Sequence, residues 1–212
     1  MPATGTLAMF IAAALTLLLI PGPAVLYIFA RSVEQGRVAG VVSILGIHVA
    51  TGVHIVAAAL GLSAMVASSP IALEVVKYAG AAYLIGIGIQ KILSRPVSFD
   101  ETVPIKPYPY GHLFRDGFAI NLLNPKTVLF FLAFLPQFID PSRGSVAAQT
   151  LILGMIYTIL GIMTDGSYAM VAGGFGNWLK RNANYLTIER YVSGIILVGL
   201  GFMAAFFGSK GA

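Results

Sequence analysis

The chain has no cysteine. Disulfides, thiol redox chemistry and cysteine-ligated metals are excluded with it. Charge is scarce too: Asp, Glu, Lys and Arg make up 10% of the 212 residues, against about 25% in a soluble domain. What fills the chain instead is apolar, at 58% hydrophobic residues and a mean hydropathy of +0.87. That is the composition of an integral membrane protein. The length allows about six spans of ~20 residues with short loops, and leaves no segment for a sizeable soluble domain. The net charge of +5 does not read as nucleic-acid binding. The basic residues lie in loops between apolar stretches, where orientation in a bilayer requires them.

One stretch organises the rest: Asn121-Leu-Leu-Asn-Pro-Lys-Thr-Val-Leu-Phe-Phe-Leu-Ala-Phe-Leu-Pro-Gln-Phe138. It is apolar enough for a bilayer, yet opens with two asparagines, a proline and a lysine. A charge near the midplane costs roughly 2.5–3.5 kcal/mol on insertion scales. Pro125 has no N–H to donate, and its ring displaces the carbonyl four residues back, that of Asn121. Broken helices with freed polar groups persist at membrane depth only inside protein or beside a watery cavity. The functional expectation is a substrate or ion pathway. The structural alternative is a proline kink satisfied by neighbouring helices, with Lys126 snorkelling to an interface.

Six spans follow in order. The first covers residues 7–30 and is interrupted at Pro21-Gly-Pro23. No Lys or Arg precedes it, so the basic region that opens a cleavable signal peptide is missing. The second, about 38–66, carries His48, Thr51 and His54; Ser68-Ser-Pro70 reads as a turn. The third is about 75–93. Residues 94–112 hold several prolines and charges and read as a linker. The fourth span is about 114–138, and Asp140-Pro-Ser-Arg-Gly144 is a turn. The fifth is about 146–174, with Asp165 well inside it. A polar stretch from Gly176 to Thr187 precedes the sixth, about 188–207.

The halves resemble each other. Gly22-Pro-Ala-Val-Leu-Tyr-Ile-Phe29 loosely matches Asn124-Pro-Lys-Thr-Val-Leu-Phe-Phe131, with prolines 102 residues apart. Lys77-Tyr78 and Leu84-Ile-Gly86-Ile-Gly88 match Arg190-Tyr191 and Leu197-Val-Gly199-Leu-Gly201 at an offset of 113. The expected fold is all-α: six transmembrane helices as two inverted three-helix repeats, the first and fourth helices broken at Pro23 and Pro125. The single transmembrane domain covers 1–212, with repeat one at 1–93, a cytoplasmic linker at 94–112 and repeat two at 113–212. Nine of the 13 Lys and Arg residues fall in or beside the 1–2, 3–4 and 5–6 loops; Lys77, Arg143 and Lys210 lie on the other side. The positive-inside rule then puts the linker in the cytoplasm and both termini outside it.

The candidate chemistry follows from the breaks. Half-helix ends point free N–H and C=O groups inward, with a positive dipole end suited to a carboxylate. Gly22 allows close backbone approach. Asn121 and Asn124, three apart, share a face if the helix holds that far; only the break at Pro125 brings Lys126 to the same cavity. The expected substrate-binding set is Gly22, Pro23, Asn121, Asn124, Pro125 and Lys126. Asp165, the one carboxylate deep in a span, reads as a proton-coupling group or a partner for Lys126, or as a satisfied acid if the helix ends near Met163. His48 and His54 are six apart, about 240° around a helix, so they form no joint site on it; each reads as a proton relay or a hydrogen-bonded packing residue. Trp178, Tyr108 and Tyr110 read as interface anchors.

These residues carry a resemblance over nearly the whole chain. Pro21-Gly22-Pro23, Gly46, His54, Lys77 through Gly88, and above all Asn121-Leu-Leu-Asn124-Pro125-Lys126 with Phe130-Phe131 and Leu135-Pro136-Gln137-Phe138 resemble the lysine-exporter family of bacterial inner-membrane transporters, the LysE/RhtB group. The resemblance implies export of amino acids or related small metabolites, driven by the proton gradient. Two positions depart from the family pattern: Ala24 stands where Asn or Asp is usual, and Thr51 where an acid is common.

Other classes fare worse. An ion or metal transporter of the wider superfamily needs clustered ligands within the spans, and only His48, His54 and Asp165 are available. An intramembrane aspartyl protease needs two acids sharing a site, and Asp165 alone qualifies; no nucleophile motif is present. The expectation is a transporter with no cofactor and no enzymatic activity. Its partners would be a small-molecule substrate and the lipid bilayer, with no nucleic acid; self-association stays open.

Overall fold

The computed structural model describes residues 4–68, 70–93 and 108–181, and residues 191, 194, 195, 198, 199, 201, 202 and 205 nearer the C-terminus. Among the described residues there are seven α-helices and no strand: α1 Thr4–Leu18, α2 Pro23–Gln35, α3 Arg37–Ser68, α4 Pro70–Leu93, α5 Tyr110–Leu122, α6 Pro125–Leu129 and α7 Val146–Arg181. α6 runs on as a π-helical turn, Phe130–Phe134, and a 3-10 turn, Leu135–Phe138. Pro136 accounts for that widening. It lacks an N–H and its ring clashes with the carbonyl four residues back, so the helix loosens before it rather than continuing in α geometry.

The breaks fall where the prolines put them. α1 and α2 form one pair bent by 55°, and α5 with the α6 segment forms a second bent by 49°. α3 and α7 are long and apolar enough to cross a membrane singly, and the total among the described residues reaches four spans if each bent pair is one. Most of the 94–112 linker and of the 188–207 span lies outside the described residues. α7 continues to Arg181, past the expected end at 174 and into the polar stretch that begins at Gly176. Single glycines cost a helix only about 1 kcal/mol each.

α3 is the central helix, packed on α2, α5 and α7. Its approach to α5 depends on two glycines. A Cβ on Gly46 would collide with the Phe114 carbonyl, and one on Gly117 would lie 2.6 Å from that of Ser43. Above this contact sits an aromatic core. Phe130 stacks on Tyr157 at 4.0 Å between ring centroids, and Phe10 meets Phe138 edge-on at 5.2 Å. It ties α1, α3, the α6 segment and α7 together. Near one end Arg31 lies 4.8 Å over the Tyr108 ring, so Tyr108 also holds a cation.

A second glycine contact has symmetry. A Cβ on Gly88 of α4 would lie 2.7 Å from the Gly194 carbonyl oxygen and 2.8 Å from the Val198 nitrogen. One on Gly201 would lie 2.8 Å from the Ala81 oxygen and 3.0 Å from the Ile85 nitrogen. Adding 113 to Gly88, Ala81 and Ile85 gives Gly201, Gly194 and Val198, the offset at which the halves match. Residue numbers rise on one helix as they fall on the other, so the two helices run antiparallel and exchange equivalent contacts.

Candidate functional site

At the first break α1 closes with Leu19 N–H bonding to the Leu15 carbonyl at 2.9 Å and Ile20 N–H to that of Leu17 at 3.2 Å. Pro21 and Pro23 cannot donate, so the helix stops. Gly22, extended at φ −126° and ψ −174°, precedes α2 and offers no side-chain cap, and Pro23 takes the first helical position, where its missing N–H costs nothing.

The second break is built differently. Asn124 Oδ1 accepts the Lys126 backbone N–H at 3.0 Å, so Asn124 is the N-cap of α6, with Pro125 in the first helical position. Asn121, at 3% exposure, turns to α3. Its amide donates to the Ile47 carbonyl at 2.8 Å and to Thr51 Oγ1 at 2.9 Å, and its Oδ1 accepts Thr127 Oγ1–H at 2.8 Å. The expected shared face of Asn121 and Asn124 therefore does not form, because the helix ends between them and their side chains serve different elements. His54 Nε2 donates to the Asn121 carbonyl at 3.3 Å, and its ring stacks on Phe131.

The two breaks touch. Lys126 Nζ donates to the Ile20 carbonyl at 2.6 Å. Its Cδ lies 3.5 Å from where a Cβ on Gly22 would stand. Tyr168 Oη on α7 donates to the neighbouring Leu19 carbonyl at 2.8 Å. The carbonyls of Leu19 and Ile20 at the first break are thus taken by side chains of the second half. Pro23 and Pro125 are themselves exposed; they supply the breaks, and Gly22 and Lys126 supply the contact.

Asp165 sits mid-helix on α7, which removes the reading of an acid at a helix end. Its Oδ2 accepts from His48 Nε2 at 3.1 Å, with both side chains under one-tenth exposed. Gly161, one turn back on the same face, makes room: a Cβ there would lie 2.7 Å from His48 Cε1 and 3.6 Å from Leu18 Cδ2. The pair is therefore beside the end of α1. His48 Nδ1 is buried without a hydrogen-bond partner. No group of three or more His, Asp or Glu able to hold a metal occurs among the described residues. Sequence reasoning missed Thr127, Gly161 and Tyr168. The one signal for the latter two is their spacing of four and three from Asp165, which puts all three on one face of α7.

The profile described as LysE type translocator matches residues 15–209. The homoserine/homoserine lactone efflux protein of Salmonella typhimurium is 35% identical over 162 residues, covering 76% of this chain and 78% of that protein. An uncharacterized membrane protein of Bacillus subtilis, YrhP, is 32% identical over 200 residues, 91% of this chain and 94% of its own. The leucine efflux protein of Salmonella typhimurium is 24% identical over 191 residues, 90% of each. No solved structure matches. The helical fold, the two proline breaks and this match over nearly the full length agree: the chain belongs to the LysE type translocator family, and is a membrane transporter rather than an enzyme.

Proposed function

We propose that this protein exports amino acids or related small metabolites across the bacterial inner membrane, coupled to protons, with its substrate site where the two helix breaks meet. The observation that carries this reading is Lys126 of the second break seated on the Ile20 carbonyl of the first. Polar, broken backbone at membrane depth is the usual construction of a transporter's binding site. The α2 N-terminus, which Gly22 cannot cap with a side chain, takes the substrate carboxylate on its free N–H groups. Lys126 adds the charge, while Asn121 and Asn124 hold the break in shape around it. Efflux of homoserine, its lactone and leucine by relatives, as their names state, supports a small amino-acid-like substrate.

Proton coupling is assigned to His48 and Asp165, an acid and an imidazole in direct contact beside the end of α1; ionisable groups buried in membrane segments are functional by default. His54 holds a backbone carbonyl and has the packing role. The equivalent contacts of Gly88 and Gly201 support inverted three-helix repeats about a pseudo-two-fold axis, and with them six spans; the Lys and Arg distribution favours both termini outside the cytoplasm.

Efflux measured in cells loaded with dipeptides tests the function. Cells carrying this protein should release one or more amino acids faster than cells carrying an inactive variant; equal release of all of them contradicts export. Single cysteines, introduced into a chain that has none, test the topology. One near either terminus should label from outside, and one in the 94–112 linker only after permeabilisation.

A further inference from the structure

The last carbonyls of an α-helix have no partner within it, and the helix dipole makes that end negative. The two residues that follow α1 continue that run of acceptors. Leu19 and Ile20 are adjacent, and their carbonyls receive a phenol from α7 and an ammonium from α6, at 2.8 and 2.6 Å. The ammonium belongs to a long flexible side chain that crosses from the other half of the protein. It is a primary amine on a tether, bound to backbone oxygen within four residues of the α2 N-terminus.

We infer that the carboxyl end of α1 is a binding subsite for a primary ammonium group, in which Lys126 stands in for the substrate's amine and yields to it. This deepens the export reading and rests on it for the identity of the ligand. An ammonium has three N–H donors. The Leu19 and Ile20 carbonyls take two of them, beside the Tyr168 hydroxyl that donates to Leu19. The break sets opposite partial charges almost end to end, the carbonyls of Leu19 and Ile20 just past α1 and the N-terminus of α2 from Pro23. A zwitterion carries its ammonium and carboxylate at a similarly short separation. The Lys126 stem already passes Gly22, its Cδ 3.5 Å from where a Cβ there would stand, so a displaced ammonium stays near a carboxylate bound at α2. The lysine thus gives up the Ile20 carbonyl to the incoming amine. The two carbonyl acceptors favour amines that carry N–H donors over bulkier cations that carry none.

The test uses the purified full-length chain in detergent, with melting temperature as the readout. Ethylammonium chloride is the probe, and tetramethylammonium chloride and sodium chloride at equal concentration are the comparators. In the wild-type protein ethylammonium should raise the melting temperature more than either comparator. In Lys126→Met the tethered competitor is gone, and the half-maximal ethylammonium concentration should fall about tenfold, the factor that ~1.4 kcal/mol of binding represents. Equal shifts from all three salts, or a larger one from sodium, overturn the subsite. So does an unchanged half-maximal concentration in a folded Lys126→Met protein. If that variant does not fold, the wild-type comparison still decides. An exporter whose melting ignores ethylammonium overturns the subsite and leaves the export reading standing. Amine-specific stabilisation of a protein that exports nothing does the reverse.

Discussion

His54 donates to the carbonyl of Asn121 at 3.3 Å. That carbonyl is the one Pro125 displaces from the helical ladder, four residues on. The two breaks in this protein are therefore repaired by side chains from outside their own helix: His54 from α3 at the second, Lys126 and Tyr168 at the first. Replacing His54 by Ala removes one of two donors to a buried carbonyl, which keeps the Asn124 N–H at 3.1 Å, and the ring stacked on Phe131; the lost hydrogen bond should cost about 0.5–1.5 kcal/mol. Thermal melting of the purified variant checks this, and an unchanged melting temperature contradicts the assignment.

Asn124 caps α6 through its side chain. Loss of an N-cap costs about 0.5–2 kcal/mol, and Ser or Asp substitutes where Ala does not. Asn124→Ala should lower both folded yield and melting temperature, and Asn124→Ser should recover most of each. Normal yield in Asn124→Ala together with lost transport would instead make the side chain a direct substrate contact.

The His48–Asp165 contact separates two losses. Asp165→Asn keeps an acceptor for His48 Nε2, so the protein should fold, while efflux becomes insensitive to external pH. Asp165→Ala removes the partner altogether; breaking a buried pair costs about 3–5 kcal/mol, and yield should drop. Efflux from Asp165→Asn cells measured across a pH series decides, and a profile like the wild type's returns the pair to a packing role.

The sequence was most informative where a residue's chemistry acts on its own backbone. Pro21, Pro23 and Pro125 each remove a donor wherever they stand, so the breaks were readable from position alone; the loosened turn before Pro136 was not expected. The pairing of His48 with Asp165 was not, because the two are 117 residues apart and helical periodicity reports a face but not what it meets. Asn121 and Asn124 show the limit within one motif. Spacing of three put them together, but Pro125 ends the helix between them, and one became a bridge to α3 while the other became a cap. Gly161 was silent for a related reason: its role is to leave space for a ring carried by another helix. The 113-residue repeat offset, faint as a sequence match, reappears in the equivalent contacts of Gly88 and Gly201.

The position of the substrate is the central claim, and Gly22 offers the most direct access to it. The chain has no native cysteine, and a Cβ at Gly22 meets only ordinary contact with Lys126, so Gly22→Cys introduces a single thiol at the meeting point of the two breaks without strain. The measurement is its rate of reaction with a small thiol reagent, with and without the amino acid that the dipeptide assay shows to be exported. The expected result is slower labelling when that amino acid is present, and no such protection at Leu60→Cys on the exposed face of α3. An exporting Gly22→Cys protein that labels at the same rate with and without its substrate would contradict the placement of the site.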